Sequence, residues 1–452
     1  MQRLLIILLA LCLQLMACSH RQMPDKDQEV LTNKGSTEGI LADGAFWRAK
    51  VPENWNGTLL LYSRGYSSKL NPPKLAPGES EAMLLEAGYA LVASSYSQAG
   101  WSVEQAIPSQ LLVLEIFTKT FAKPKKVIAW GSSMGGMVTA ALAERHSDKL
   151  DGAITLCASA FGALPMMNMA FDGAFSLTTL ITPEEDFSAV GRGNNFDAVN
   201  VIMDKVEKAR ETPLGRARVA LAGVLGGIPS WTVKDSAKPN EQDYQGQEEQ
   251  IAKAIHRGLF LPRGDQEKRA GGIFSGNEGV DYKTLLDVSG RKEFVETMYR
   301  LADASLEEDL ATLNGQPKTS TNSGAVQYMQ NNFTPSGQVT IPVLNAHTTG
   351  DGMTSPALQA GYTELVAQES GNNMVADAWI ERAGHCTETD QERWALVSAL
   401  EARLATGQWP ELPEYFDTLN GNTQALSFTK YMPFPMPRAC SENNLCAEYW
   451  SR

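Results

Sequence analysis

Val127-Ile128-Ala129-Trp130-Gly131-Ser132-Ser133-Met134-Gly135-Gly136 is the stretch whose reading decides the fold. Four apolar residues, Val127 to Trp130, follow the solvated Lys123-Pro124-Lys125-Lys126, which is the pattern of a buried parallel strand. Gly131, Gly135 and Gly136 then withdraw side chains where the chain must reverse, and an Ala-rich run to Arg145 predicts a helix. Strand, sharp turn and helix put Ser133 on the turn with its hydroxyl exposed. The Met134 N–H, at the start of the helix, lacks a helical partner and is free to face an anion. Read blandly, Ser133 only caps that helix; read as a nucleophile, it needs a base and an acid further along the chain.

Upstream, Ile40-Leu41 and Ala45 to Val51 read as a hairpin around Asp43-Gly44, and Thr58 to Ser63 and Tyr89 to Ser95 read as buried strands. Helices are predicted over Ser80 to Ala87 and Ser102 to Phe121, and Gly152 to Cys157 is another buried strand. Strands alternating with helices predict an α/β fold, a mostly parallel sheet covered by helices on both faces. The alternation stops at Ala158. From there to Val339 the chain is Met-rich, then charged and helical, and only Thr340 to Ala346 resumes the strand pattern. This predicts a large, mainly helical cap, residues 158–339, inserted after the sixth strand. A helix over Ala357 to Gln368, a strand from Asp377 to Ile380 and a final helix over Thr389 to Leu404 complete the core. Residues 37–157 and 340–405 are thus two parts of one core, and 406–452 form a Pro- and aromatic-rich tail.

The chain has 452 residues, 43% of them apolar, enough to bury a large core. Its formal net charge of −13 argues against nucleic acid and anionic membrane surfaces as partners, both of which recruit Lys and Arg. Residues 1–18 read as a targeting segment: Arg3, an apolar run from Leu4 to Leu15 too short to span a bilayer, then Leu15-Met16-Ala17-Cys18. This resembles a bacterial lipoprotein signal. The resemblance implies lipidation of Cys18 as a membrane anchor, and Ser19 after it implies the outer membrane; the alternative is an ordinary secretory signal. Residues 19–36, polar and mixed in charge, read as a flexible tether. Beyond Cys12 and Cys18, Cys157, Cys386, Cys440 and Cys446 remain, and an even number in an exported chain makes them disulfide candidates.

A serine hydroxyl is a weak nucleophile and needs a base that is itself held by a third group. Of the five histidines, His20 lies in the tether, His146 ends the helix after Ser133, and His256 lies in the cap. His347 closes a strand and reads as a packed, hydrogen-bonded residue. His385, in Ala383-Gly384-His385-Cys386 on the loop after the last strand, is the expected base. Asp351, between Gly350 and Gly352 after the Thr340 to Ala346 strand, is the expected acid, with Asp377 and Glu388 as weaker candidates. No metal-ligand spacing appears, and this chemistry needs neither metal nor cofactor.

The order Ser133, Asp351, His385 is that of the α/β-hydrolases. Residues 37–157 and 340–405 look like that fold, and Leu61-Tyr62-Ser63-Arg64-Gly65-Tyr66, Gly131 to Gly136 and Gly384-His385-Cys386 resemble exported bacterial serine esterases. In that family a His-Gly pair follows the third strand, and the next N–H forms half of the oxyanion hole. The resemblance therefore implies Tyr66 and Met134 as the oxyanion-hole donors. Arg64 stands in place of the His and is expected to add positive charge near the acyl site. In tannases and feruloyl esterases a Cys before the nucleophile bonds the Cys after the His. Here Ser132 occupies that place, so Cys157, leaving the neighbouring strand, becomes the candidate partner for Cys386.

The expected function is cleavage of carboxylic esters of a small-molecule substrate through an acyl-enzyme. Two alternatives stand beside it, an exported peptidase or aminopeptidase with the same triad and a non-catalytic binding protein on a hydrolase scaffold. The cap chooses the substrate. Leu164-Pro165-Met166-Met167 with Phe171 and Phe175 read either as an apolar recess or as the cap's own core, and core is the use expected of most of them.

Overall fold

Along Thr58–Ser63 the side chains alternate between two packed layers: Leu59 and Leu61 join one apolar cluster, Leu60 and Tyr62 the other, and all four are buried. A strand covered on both faces has no polar alternation to show, which is why it reads as a continuous apolar run. The computed structural model describes residues 31–33, 35–183, 188–191, 196–260, 263–332, 334–420 and 426–438. Its strands are β1 (Leu31–Asn33), β2 (Ser36–Ile40), β3 (Phe46–Lys50), β4 (Thr58–Ser63), β5 (Ala90–Ser94), β6 (Lys126–Ser132), β7 (Gly152–Leu156), β8 (Val343–Gly350), β9 (Val375–Ala383) and β10 (Phe428–Thr429). They form one sheet in the order β1-β2-β3-β5-β4-β6-β7-β8-β9-β10. The central six, β5 through β9, pair in parallel, and the edges pair antiparallel. The expected mostly parallel α/β sheet is therefore present.

Helices α1 (Ser80–Glu86), α2 (Val103–Thr120) and α3 (Met134–Arg145) fill the crossovers before β7. Between β7 and β8, among the described residues, come only helices: α4 (Ala163–Ile181), α5 (Phe196–Ala209), α6 (Pro213–Leu225), α7 (Tyr244–Phe260), α8 (Arg263–Ala270), α9 (Tyr282–Val288), α10 (Lys292–Leu301), α11 (Leu306–Gly315) and α12 (Ser323–Asn331). This insertion has a core of its own, built on Leu177, Leu221, Ile255 and Tyr299. Then follow α13 (Pro356–Ser370), α14 (Asp390–Thr406) and α15 (Leu412–Asn420). α14 opens with Thr389 and Glu392 exchanging backbone hydrogen bonds, the pairing that satisfies two otherwise unpaired N–H groups.

Three sequence expectations change. The tether does not run to residue 36, because Leu31–Asn33 pairs with β2 through a turn at Gly35, whose φ of 70° suits glycine; counted from β1, the insertion follows the seventh strand. The Pro- and aromatic-rich tail after residue 406 gains elements the sequence reading did not include: α15 packs there and β10 covers the free edge of β9, with Phe428 stacked on Phe416 at 3.6 Å. Asp377 does not begin its strand but sits within β9, and β8 extends through His347 to Gly350. The lipobox with Cys18, His20 and the Cys440/Cys446 pair lie outside the described residues.

Candidate active site

The turn after β6 is forced by close approach. A Cβ on Gly135 would lie 2.0 Å from the Ser63 carbonyl oxygen, and one on Gly131 2.3 Å from the Gly135 carbonyl oxygen. Only glycine fits either place, so α3 starts directly against the end of β4. Ser133, between them, takes φ 58° and ψ −125°, a region costly for a residue with a Cβ. Its N–H is tied to the Leu156 carbonyl at 2.9 Å, so the strand beside it sustains that conformation, and the side chain stands partly exposed at the C-terminal edge of the sheet.

His385 meets it there. Its Nε2 lies 2.9 Å from Ser133 Oγ, and its Nδ1 lies 2.7 Å from Asp351 Oδ2. The Asp351 Oδ1 accepts the N–H groups of Met353 and Thr354, each at 2.9 Å, which fixes the carboxylate in its own turn. Asp351 is fully buried. Burial alone would raise its pKa, but the His385 and His347 imidazoles outweigh it and hold the carboxyl well below the usual range. For His385, burial opposes the charged form, yet the Asp351 carboxylate and its hydrogen bond prevail and the net shift is upward. The other acids stand apart: Asp377 bonds Thr363 and Asn345, and Glu388 pairs with Arg393 at 3.5 Å.

His347 is packed and hydrogen-bonded as expected, donating from Nε2 to the Thr354 carbonyl at 2.8 Å, but the same nitrogen also lies 3.3 Å from Asp351 Oδ2. Sequence reasoning missed this second imidazole on the acid. The available signal was the spacing of four between His347 and Asp351 across a strand end. His146 caps the C-terminus of α3, away from Ser133, and His256 lies in α7.

Gly65 runs beside the serine. A Cβ there would lie 3.2 Å from Ser133 Cβ and 3.8 Å from its Oγ, so the Gly65–Tyr66 peptide borders the reacting atom. Met134 is the first residue of α3, where N–H groups have no helical acceptor. Arg64, expected to add positive charge near the acyl site, spends its hydrogen bonds on backbone carbonyls around it. Its guanidinium turns back to the Ser95 carbonyl (2.7 and 3.0 Å) and to the Gly65 carbonyl (2.9 Å), and lies 4.4 Å above the Tyr96 ring. It also donates to the Gln98 carbonyl at 3.2 Å.

Cys157 and Cys386 form a disulfide across 229 residues. Both take positive φ, 44° and 53°, just after β7 and just after His385. Cys157, His385 and Cys386 bring their donor atoms within 4.8 Å, but the bond between the sulfurs removes the thiolates a metal would need. In the chain-entropy model a closed loop this long contributes roughly 5 kcal/mol, and relief of the two strained backbones offsets part of it. The Cys157→Ser/Cys386→Ser variant is expected to lose about 3 kcal/mol in urea unfolding. An unchanged midpoint and slope would show that the bridge constrains nothing.

Setting aside the added edge strands β1 and β10, the eight remaining strands run first, second, fourth, third, fifth, sixth, seventh, eighth across the sheet. Ser133 follows the fifth of them, Asp351 the seventh and His385 the eighth. The chain has the α/β-hydrolase fold. Residues 39–178 match a tannase-like family of unknown function. An o-phthalyl amidase of Xanthobacter agilis is 29% identical over 421 residues, which cover 86% of this chain and 90% of that protein. Among solved structures, an esterase from Aspergillus oryzae covers 83% of this chain and 81% of its own at 16% identity, with a TM-score of 0.44. Feruloyl esterase B from the same fungus gives 14% identity and a TM-score of 0.41 over the same shares.

A cleft of about 680 Å³ opens beside His385, between helix α7 of the insertion and the loops that follow Asp351 and carry His385. Phe171 and Met167 do not border it; they are buried, and Phe171 stacks on Phe175 at 5.9 Å, which in turn stacks on Tyr282 at 5.5 Å. These residues are core, as expected of most of them.

Proposed function

We propose that this protein is a serine hydrolase that cleaves carboxylic esters through an acyl-enzyme. The observation that carries the reading is the continuous array from Ser133 Oγ through His385 Nε2 at 2.9 Å to Asp351 at 2.7 Å. Ser133 Oγ attacks the acyl carbon as its proton passes to His385 Nε2. The oxyanion lodges between the Tyr66 and Met134 N–H groups. Collapse breaks the bond to the leaving oxygen, which takes the proton from His385; water, deprotonated by the same nitrogen, then releases the acid and restores Ser133. The insertion acts as a cap over the cleft. Export agrees with the Cys157–Cys386 bond, since disulfides persist in oxidising compartments, and the lipid anchor at Cys18 remains part of this proposal.

A second reading, amide cleavage, is favoured by the likeness to the Xanthobacter amidase and uses the same groups with a leaving nitrogen. A panel of nitrophenyl esters and acyl anilides, run with fluorophosphonate labelling of the mature protein, separates the possibilities. Ester turnover with label on Ser133 supports the first reading. Anilide turnover without ester turnover replaces it by the second, and absence of label points to a binding protein.

Arg64 has a place in this mechanism as a positioning residue. By donating to the Gly65 carbonyl it fixes the plane of the peptide whose N–H, on Tyr66, faces the oxyanion. Arg64→Lys retains charge but not the planar fork, so kcat is expected to fall roughly tenfold to a hundredfold with KM little changed. A rise in KM at constant kcat would place Arg64 in substrate binding instead.

A further inference from the structure

Helix α7 lies in backbone contact with the turn that holds the proposed acid. A Cβ on Gly258 would stand 2.4 Å from the Gly352 carbonyl oxygen, and one on Gly352 would stand 2.6 Å from Ala254 Cβ. Two side chains on the same helix, Lys253 and Arg257, are one turn apart and both line the cleft that His385 borders. Lys234 closes the cleft from the other side, where a Cβ on Gly384 would lie 3.4 Å from its own Cβ. The positions of these three cations are thus set by tight backbone packing against the loops of Asp351 and His385.

They are also free. Among the described residues none of the three has a carboxylate within salt-bridge distance, and the acid in the same lining, Glu249, turns to Arg210 and Arg216 at 3.7 and 4.0 Å. Arg257 is near enough to act electrostatically on His385. The chain as a whole carries −13, so its general field repels anions and this cleft is a local reversal of sign. Unpaired cations at a reaction centre raise the local concentration of an anionic ligand, and the planar Arg257 fork matches a carboxylate. Val233, Ala254 and Met353 supply apolar surface in the same lining for a hydrocarbon spacer.

We propose that the substrate carries a free carboxylate beside its scissile acyl bond, and that Lys234, Lys253 and Arg257 bind that carboxylate. The substrate is then a half-ester or half-amide of a dicarboxylic acid, or an ester whose leaving group bears the acid. This rests on the serine-hydrolase reading above.

Two matched pairs test it: monophenyl adipate against methyl phenyl adipate for a carboxylate on the acyl side, and 4-acetoxybenzoate against its methyl ester for one on the leaving side. In one of the pairs kcat/KM is expected to favour the anion by at least about tenfold, an advantage that shrinks as ionic strength rises from about 0.05 to about 0.5 M. Lys253 and Arg257 are exposed, so charge reversal there spares the packing, and Lys253→Glu/Arg257→Glu should bring the ratio to one or below. A ratio at or below one in both pairs for the unaltered protein, or a ratio that the double variant leaves unchanged, overturns the proposal. Should neither ester of either pair be turned over, the ester-cleavage reading fails by itself. Calorimetry of adipate monomethyl ester binding to the Ser133→Ala protein then decides the anion site, with at least about tenfold weakening in the added double variant expected and equal affinity overturning it.

Discussion

Alanine at position 133 is expected to lower kcat by roughly a millionfold, because nucleophile and base act as one unit and loss of either leaves only binding and oxyanion stabilisation. The neighbouring hydroxyl does not substitute for it. Ser132 lies within β6 with its Oγ 3.4 Å from the Tyr62 hydroxyl, whereas the turn directs Ser133 to His385. Ser132→Ala is therefore expected to keep kcat within about threefold, as an isolated, modest hydrogen bond allows. The two serines also differ in what they cost the fold. At φ 58° a residue with a Cβ is strained, and Ser133→Gly should stabilise the protein by about 1 kcal/mol while leaving it as inactive as the alanine variant. Purified Ser133→Ala that retained more than about one percent of turnover would remove Ser133 from the mechanism.

The turn was legible because its glycines answer to contacts within a few residues and one adjacent strand. Nothing else fits at Gly131 or Gly135, so the pattern and the physical demand coincide. The parallel core was legible for a similar reason, since strands buried on both faces have to be apolar throughout. The insertion showed itself by the loss of that pattern between Cys157 and Thr340. What could not be read depends on where distant segments come to rest. The direction of Arg64 is set by the loop after β5, whose carbonyls at Ser95 and Gln98 have no sequence signature. β1 and β10 are three and two residues long, too short for any period to register. Lys253 and Arg257 look in sequence like the solvated face of an amphipathic helix, and only the packing of Gly258 on Gly352 turns that face toward His385. The Cys157–Cys386 bond occupies an intermediate position. The sequence narrowed the choice by putting Ser132 where the tannase pattern has its cysteine, and the adjacency of β7 to β6 supplied the partner.

Asparagine at position 351 is expected to lower kcat by about 10⁴-fold while leaving the fold intact, on the same tautomer argument that applies to other Ser-His-Asp sites. The Asn Oδ1 retains the Met353 and Thr354 N–H bonds, both 2.9 Å in the wild type, so the turn should survive. Its amide nitrogen then faces His385 Nδ1, which must accept rather than donate; the proton moves to Nε2, and Ser133 loses its acceptor. The pH profile distinguishes this from a loose loop. In the wild type the His385 pKa is raised, so the acid limb of kcat/KM should lie above the unperturbed value of about 6.5. Without the carboxylate, burial is the largest influence left on the ring; it disfavours the charge, as Arg257 does, against the weaker pull of Glu388, so the limb should move below that value. The stability signs follow the same groups. A raised imidazole adds stability below its unfolded pKa that is lost as pH climbs through the folded one; a depressed Asp351 adds stability above about 4 that is lost as pH falls. Between those limits the wild type should exceed Asp351→Asn in stability most clearly near pH 5 to 6, where both partners are charged. A variant that loses rate with its acid limb unmoved would mean that Asp351 orders the turn without governing the proton on His385.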